Sequence, residues 1–197
     1  FLSEKDTTTA QLHFEVEGIT YDYEDVSNGK TVLEKTEAAM EFILKELQGE
    51  SGLVILGGEN TGEFNSASSN YWDNLSFGYK DPYEGMLFLG ALQSMADLYR
   101  MTGESAKQAE YETLLNTAHA AYDDAYWSEE KGRYVSDITA SGKVLDYGLT
   151  FLNTEALYYG AGDQAKADAI FSWINGERIV EGDTAAGAEI LDAWVIA

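Results

Sequence analysis

Apolar residues recur at helical spacing over most of the chain. Thr31 followed three residues later by Glu34 is a capping box, and the apolar stripe behind it predicts a first helix over residues 31–48. Asp81 and Pro82 supply an N-cap acceptor and a first-turn proline, so they predict the start of a second helix, which ends at 102–103. This helix has little polar face in its first half, which is typical of a helix surrounded by other helices.

The pattern then changes from an apolar helix to an amphipathic one. Residues 104–126 predict a helix with a single apolar stripe, so the two helices form a hairpin with an inner and an outer member. A turn, a short strand and a small hairpin closing at 141–142 follow. Two further helices are predicted over residues 149–159 and after Asp163, the last with its inward side at Ala167, Ile170, Phe171 and Ile174.

Strand patterns are short and few. Residues 11–17 alternate apolar and polar side chains, which predicts a half-buried strand inside a lead-in strand or linker over residues 1–28. The apolar run within 52–58 predicts a second short strand. The fold class is therefore mainly α, with α/α hairpins and with short strands and hairpins in the loops. A helical-repeat scaffold remains an alternative, because the repeated unit is helical but carries no exact sequence repeat.

Charge and cysteine content narrow the function. Asp and Glu outnumber Lys and Arg by 35 to 12, and the net charge of -23 makes nucleic acid and membranes unfavourable partners. The absence of cysteine removes thiol catalysis, thiolate metal sites and disulfides. Neither His13 nor His119 has a partner spaced for metal binding, so we expect no metal and no cofactor. Carboxylates are left as the main candidates for acid/base chemistry.

The most distinctive segment precedes the second helix, over residues 69–79. It combines aromatic rings, amides and one carboxylate, Asp73, in a loop. Sugars present apolar CH faces flanked by hydroxyl groups, so a sugar site needs flat rings and short polar side chains. A carboxyl group desolvated among rings keeps its proton to higher pH, as a general acid requires. The candidate sugar contacts in this loop are Tyr71, Trp72, Asn74 and Tyr79.

Two features together resemble a known family. They are the Trp72-Asp73 pair before an apolar inner helix and the turn Trp127-Ser128-Glu129-Glu130-Lys131-Gly132-Arg133-Tyr134 after the outer helix. This order resembles the six-hairpin glycosidases, an α/α toroid superfamily that includes trehalases, glucoamylase-type glucosidases and glycogen debranching enzymes. The resemblance covers roughly residues 31–190. Ser69-Asn70-Tyr71 stands where trehalases have Glu-Ser-Gly, so their substrate specificity does not carry over.

The resemblance implies a fold, a reaction and site residues. Residues 29–197 would form part of an (α/α)6 toroid domain, and Asp73 would be the catalytic acid of an inverting glycoside hydrolase. Asp146 would be a further substrate contact, because it lies where the chain enters the next inner helix. The base of an inverting pair lies about 6.5–9.5 Å from the acid. In this family it comes from later helices, so we expect it beyond Ala197 and expect the 197-residue chain alone to be inactive.

One other function stays open at this point, and one pair of carboxylates is assigned to structure. The other function is a noncatalytic helical scaffold that binds carbohydrate or protein, in which the aromatic loop only holds its ligand. The pair is Asp81 and Glu84, whose spacing is explained by helix capping and which we assign to structure rather than to chemistry. Beyond a carbohydrate, the expected partner is the remainder of the same toroid, in a bacterial protein that is either extracellular or cytoplasmic.

Overall fold

The computed structural model describes residues 10–16, 19–25, 31–57 and 76–180. The chain divides into two compact units, residues 1–43 and 44–197. Its described part is mainly helical, which confirms the predicted fold class at that level. None of the helices in these ranges is both long enough and apolar enough to span a bilayer.

The first unit contains a β-hairpin. Strands β1 (Ala10–Val16) and β2 (Ile19–Asp25) pair antiparallel, with Val16 opposite Ile19. The alternation over residues 11–17 predicts the first strand, whereas the second strand was not predicted. The pairing makes this region a hairpin rather than a single strand.

Helix α1 (Val32–Glu46) starts in the first unit and its last residues belong to the second. The backbone N–H of Thr31 donates to Oε2 of Glu34 at 2.6 Å, and the N–H of Glu34 donates to Oγ1 of Thr31 at 3.1 Å. Each side chain thereby satisfies an N–H that the helix itself leaves unpaired. The predicted capping box is confirmed.

After α1, the described residues 47–57 contain one 3-10 turn, Gly49–Ser51. Gly52 follows with a φ of +92°, and a Cβ at this position would lie 2.8 Å from the Cβ of Ala121. The short strand predicted within 52–58 is not formed in its described residues. Single backbone hydrogen bonds hold this extended segment instead, from Ile55 N to Leu47 O (2.8 Å) and from Leu56 N to Tyr79 O (2.9 Å).

Helices α2 (Pro82–Thr102) and α3 (Ser105–Tyr126) form the predicted hairpin. Near one end the hydroxyl of Tyr122 donates to the carbonyl of Pro82 at 3.2 Å, and near the other the rings of Tyr99 and Tyr111 lie 5.4 Å apart. The two helices are therefore antiparallel. Helix α2 is buried along most of its length, whereas α3 buries a single stripe, as their sequence patterns predict.

Four two-residue strands connect this hairpin to the next helices. Strand β3 (Trp127–Ser128) pairs with β4 (Arg133–Tyr134), and β5 (Asp137–Ile138) pairs with β6 (Val144–Leu145), both antiparallel. The buried side chain of Asn153 holds β4, since its Oδ1 accepts from the N–H of Tyr134 at 2.8 Å.

Helix α4 (Thr150–Tyr158) runs parallel to α2. The ring of Tyr83, in the first turn of α2, lies 6.4 Å from that of Phe151, in the first turn of α4. Further along both helices, a Cβ at Gly90 would lie 2.6 Å from two ring carbons of Tyr159. The two helices therefore begin at the same end of the second unit.

Helix α5 (Gln164–Ile174) begins at its predicted cap. Oδ1 of Asp163 accepts from the N–H of Lys166 at 2.9 Å. Ile170 is buried as expected, but the prediction for Phe171 was wrong, because this side chain is 49% exposed. The apolar residues of this short helix cover a wider arc of its surface than the face that is buried.

Candidate functional site

The structure describes only part of the predicted sugar-binding set. Asp73, the predicted general acid, lies outside the described residues, as do Tyr71, Trp72 and Asn74. Tyr79 and Asp146 are described. The geometry of the site is therefore built from the residues that follow the loop and from the elements that contact them.

Residues 76–78 are fixed to the segment that precedes α4. The carbonyl of Ser76 accepts a hydrogen bond from the hydroxyl of Tyr147 at 2.9 Å. The ring of the fully buried Phe77 lies 5.5 Å from that of Tyr147, and the N–H of Gly78 donates to Oδ1 of Asp137 at 3.0 Å. The chain that leaves the aromatic loop is thus held beside the start of α4.

Tyr79 has an unusual backbone conformation. Its φ of 68° lies in the left-handed region, which costs a non-glycine residue about 1–2 kcal/mol. Its carbonyl accepts the hydrogen bond from Leu56, and its side chain is half-buried. Such strain is enriched at ligand sites, where the surrounding structure maintains it. The outlier therefore supports the prediction that Tyr79 contacts a ligand.

Rings and carboxylates meet where α2 and α4 begin. Burial raises the pKa of Tyr83, and the negative charges of Glu155, Glu84 and Asp81 raise it further. The ring of Phe151 lies beside that of Tyr83, with 6.4 Å between the ring centroids. Stacking surfaces next to hydrogen-bond acceptors are what a sugar ring requires.

Sequence reasoning did not select Tyr83 or Glu155 for this site. The sequence pattern places Tyr83 only within a helix-capping motif. Glu155 is the single charged residue of α4, a helix that is otherwise apolar or uncharged. A lone carboxylate on such a helix was the signal that could have identified it.

Glu84 does not have the capping role that its spacing predicts. Oδ1 of Asp81 accepts from the N–H of Tyr83 at 2.8 Å, so Asp81 does act as the N-cap. Within the described part of the chain, the structure gives the Glu84 side chain no hydrogen bond. Burial and the charge of Asp81 raise its pKa, which favours a carboxyl group that can hold and donate a proton.

Asp146 is held by positive charges rather than open to solvent. Its Oδ2 contacts Nζ of Lys131 at 2.6 Å and a guanidinium nitrogen of Arg133 at 3.1 Å, and its side chain is only 7% exposed. Burial alone would raise the pKa of Asp146. The charge of Arg133 and the hydrogen bonds from Lys131 and from the N–H of Gly148 outweigh that effect and lower it.

Arg133 is itself fully buried. Its guanidinium carbon lies 4.4 Å from the ring centroid of Trp173, a cation–π contact. Gly148 has a φ of +67°, and a Cβ there would lie 3.3 Å from the guanidinium nitrogens. The predicted contact of Asp146 with substrate stays a prediction. In the structure, Oδ1 of Asp146 accepts from the N–H of Gly148 at 3.1 Å and so holds the turn that precedes α4.

The described residues show no cluster of three or more His, Asp or Glu side chains that could hold a metal ion. His119 is half-buried beside Gly160, and burial lowers its pKa.

Neither a family model nor a curated protein matches this chain. Its function is therefore inferred from the site itself.

Proposed function

We propose that this chain is part of a glycoside hydrolase that cleaves glycosidic bonds of oligo- or polysaccharides by an inverting mechanism. The observation that carries the proposal is the hydrogen bond from the Tyr147 hydroxyl to the Ser76 carbonyl. It brings the exit of the loop that contains Trp72 and Asp73 to the start of α4. The rings of Tyr83 and Phe151 lie in the first turns of α2 and α4, and Glu155 lies one turn further along α4.

The arrangement of the helices supports an (α/α)6 toroid as the complete fold. Helices α2 and α4 are parallel and adjacent, and α3 runs back along α2. Parallel inner helices with antiparallel outer ones are the repeating unit of such a toroid. In this fold the starts of the inner helices line one mouth, where we propose that the sugar binds.

In the proposed reaction Asp73 protonates the glycosidic oxygen as the bond to the anomeric carbon breaks. A second carboxylate, supplied by another segment of the same toroid, removes a proton from the water that attacks from the opposite face. Trp72 and Tyr79 supply stacking surfaces, and Tyr71 and Asn74 supply hydrogen bonds to the sugar hydroxyls. The first turns of α2 and α4 extend this surface along the bundle end.

The test uses the full-length protein that contains this chain. It is incubated with α- and β-linked oligosaccharides, and the anomeric form of the first product is followed by NMR. We expect hydrolysis with inversion, and we expect Asp73→Asn to lower kcat by about 10²–10⁴-fold. The control is Asp124→Asn, which removes the same charge at an exposed position on α3 and should leave kcat unchanged. Unchanged turnover in Asp73→Asn would remove Asp73 from the chemistry.

A noncatalytic carbohydrate-binding scaffold is the second candidate. The observation that favours it is that the Asp146 carboxylate forms ion pairs with Lys131 and Arg133. The sequence selects Asp73 alone for chemistry and Asp146 only as a substrate contact, so within the described residues no carboxylate selected from sequence is open to act as an acid or a base. Saturable oligosaccharide binding without product formation by the full-length protein would support this candidate over the hydrolase.

A further inference from the structure

The turn between α4 and α5 contacts one face of α3 at two points. This turn contains two glycines with positive φ, Gly160 at +86° and Gly162 at +75°. A Cβ at Gly160 would lie 3.0 Å from Cε1 of His119, and the N–H of Gly162 donates to Oδ1 of Asp123 at 3.1 Å. His119 and Asp123 are four residues apart on α3, so they lie on the same face of the helix. Together they hold the turn against α3.

One ring nitrogen of His119 is buried without a partner. Nδ1 is closed to solvent and makes no hydrogen bond within the described part of the chain. A neutral imidazole with its proton on Nε2 leaves Nδ1 as an unpaired acceptor. An imidazolium carries an N–H on both nitrogens, so Nδ1 would become a buried, charged donor without an acceptor. A charged group left unsatisfied in the interior costs more than a neutral one. The packing therefore favours the neutral ring.

Asp123 is the nearby charge that would favour the imidazolium, but both of its oxygens already have donors. Its Oδ1 accepts from the Tyr134 hydroxyl as well as from Gly162. Its Oδ2 accepts from Nζ of Lys166 at 2.8 Å. A rotation of this carboxylate towards His119 would break at least one of these bonds.

The other titratable groups around Asp123 lie on β4 and α5 and at the α5 cap. Burial and the Asp123 carboxylate raise the pKa of Tyr134, so its hydroxyl keeps its proton. The hydrogen bond to Asp123 raises the pKa of Lys166, and the charge of Asp163 raises both of these pKa values further. For His119 itself, burial lowers the pKa by more than the charge of Asp123 raises it.

We propose that His119 is an acid-sensitive latch that holds the α4–α5 turn on α3 only while its ring is neutral. The neutral ring packs against Gly160. When the ring takes up a proton at mildly acidic pH, the charged Nδ1–H requires water or an acceptor, which it gains when the ring moves away from Gly160. The latch is a property of the fold and acts whether or not the chain binds sugar.

The latch gives stability a defined dependence on pH. In the unfolded chain the histidine pKa is about 6.5, and in the folded chain the pKa of His119 is lower. Between the two values the unfolded chain binds a proton that the folded chain does not bind. The contribution of His119 to stability is therefore fully present above the unfolded pKa and is lost as pH falls towards the folded pKa. Over that window the unfolding equilibrium constant rises about tenfold for each pH unit of acidification.

The first test compares wild type with His119→Gln by urea unfolding between about pH 7.5 and pH 5.5. The glutamine amide offers a polar group of similar reach that does not titrate. We expect the ratio of the wild-type to the variant unfolding constant to rise about tenfold per unit of falling pH below about pH 6.5. Asp124→Asn, an exposed change on the same helix, should keep the wild-type slope. Equal slopes for wild type and His119→Gln would overturn the proposal.

The second test uses only the wild-type chain, so it does not depend on the folding of a variant. The chain has two histidines, and NMR follows the ring signals of His119 separately from those of His13. We expect a His119 midpoint below about 6.5, the proton on Nε2 at neutral pH, and amide signals of Gly160 and Gly162 that shift with the same midpoint. A midpoint at or above about 6.5, or glycine signals that do not follow His119, would overturn the latch.

Discussion

The guanidinium of Arg133 is fully buried, and it is stabilised by an ion pair with Asp146 and a cation–π contact with Trp173. Removing Asp146 takes away a carboxylate that contacts the buried guanidinium at 3.1 Å. We therefore expect Asp146→Ala to lower the free energy of unfolding by about 3–5 kcal/mol, measured by urea denaturation at pH 7. Lys131→Ala should cost less than about 1 kcal/mol, because the Lys131 side chain is 30% exposed and screened by solvent.

The sign of the pH effect follows from the lowered pKa of Asp146. A carboxyl group with a folded pKa below its unfolded value stabilises the fold above the unfolded pKa. This contribution is lost as pH falls through the folded pKa. The difference between wild type and Asp146→Ala should therefore shrink below about pH 4. An equal cost for Asp146→Ala and Lys131→Ala would contradict the assigned role of the pair.

At the scale of single residues, the sequence predicted local polar interactions correctly. The caps at Thr31, Asp81 and Asp163 depend on side chains within three residues, and all three form. The burial of Arg133 could not be predicted, because a turn with two cations around a glycine is typical of a solvated surface. Its burial depends on Trp173, which is distant in sequence.

At the scale of elements, the contact of α2 with α4 depends on the small size of Gly90. A methyl group at this position would overlap the ring of Tyr159, whereas alanine is otherwise preferred in a helix interior. We expect Gly90→Ala to destabilise the fold by about 1–3 kcal/mol, read from the urea midpoint at constant m. Ser94→Ala, an exposed change that removes only the hydrogen bond from Oγ to the Gly90 carbonyl, should have an effect within about 0.5 kcal/mol.

The Gly90 contact also tests the parallel arrangement of the two helices. If Gly90→Ala were as neutral as Ser94→Ala, α4 would not lie against α2 at this position. Combining Gly90→Ala with Tyr159→Ala should recover part of the loss, because the second change removes the ring that the methyl group meets.

Helices were predictable because their apolar spacing repeats over several turns. The extended segment at 54–57 was harder, because its hydrogen bonds go to Leu47 and Tyr79 rather than to a neighbouring strand. Phe171 shows a further limit, since an apolar residue on the predicted inner stripe need not be covered. Its exposure depends on which elements pack against α5, and the sequence of one helix does not contain that information.

For the whole molecule, the dominant feature is the excess of negative charge. A net charge of -23 produces self-repulsion that disfavours the compact state, and salt screens it. We expect the Tm to rise when NaCl increases from about 10 mM to about 500 mM, by about 2–4 °C for each kcal/mol of repulsion relieved. KCl should act equally at the same ionic strength. A flat or falling Tm would show that local ion pairs such as Arg100–Asp97 outweigh the net charge.

The site as a whole was only partly predictable. The composition of the aromatic loop predicted a sugar contact, whereas the left-handed backbone of Tyr79 became visible only in the structure. Tyr83 and Phe151 lie side by side because α2 and α4 start next to each other. That juxtaposition depends on tertiary packing, so no local motif predicts it.

The most direct test of the proposed site is calorimetric titration of the chain with a panel of α- and β-linked oligosaccharides. We expect at least one to bind, and we expect Tyr79→Ala to weaken its Kd about tenfold, a loss of about 1.4 kcal/mol. Tyr158→Ala is the matched control, because Tyr158 is 82% exposed at the far end of α4. No binding by any oligosaccharide, or equal weakening by the two variants, would contradict a sugar site where α2 and α4 begin.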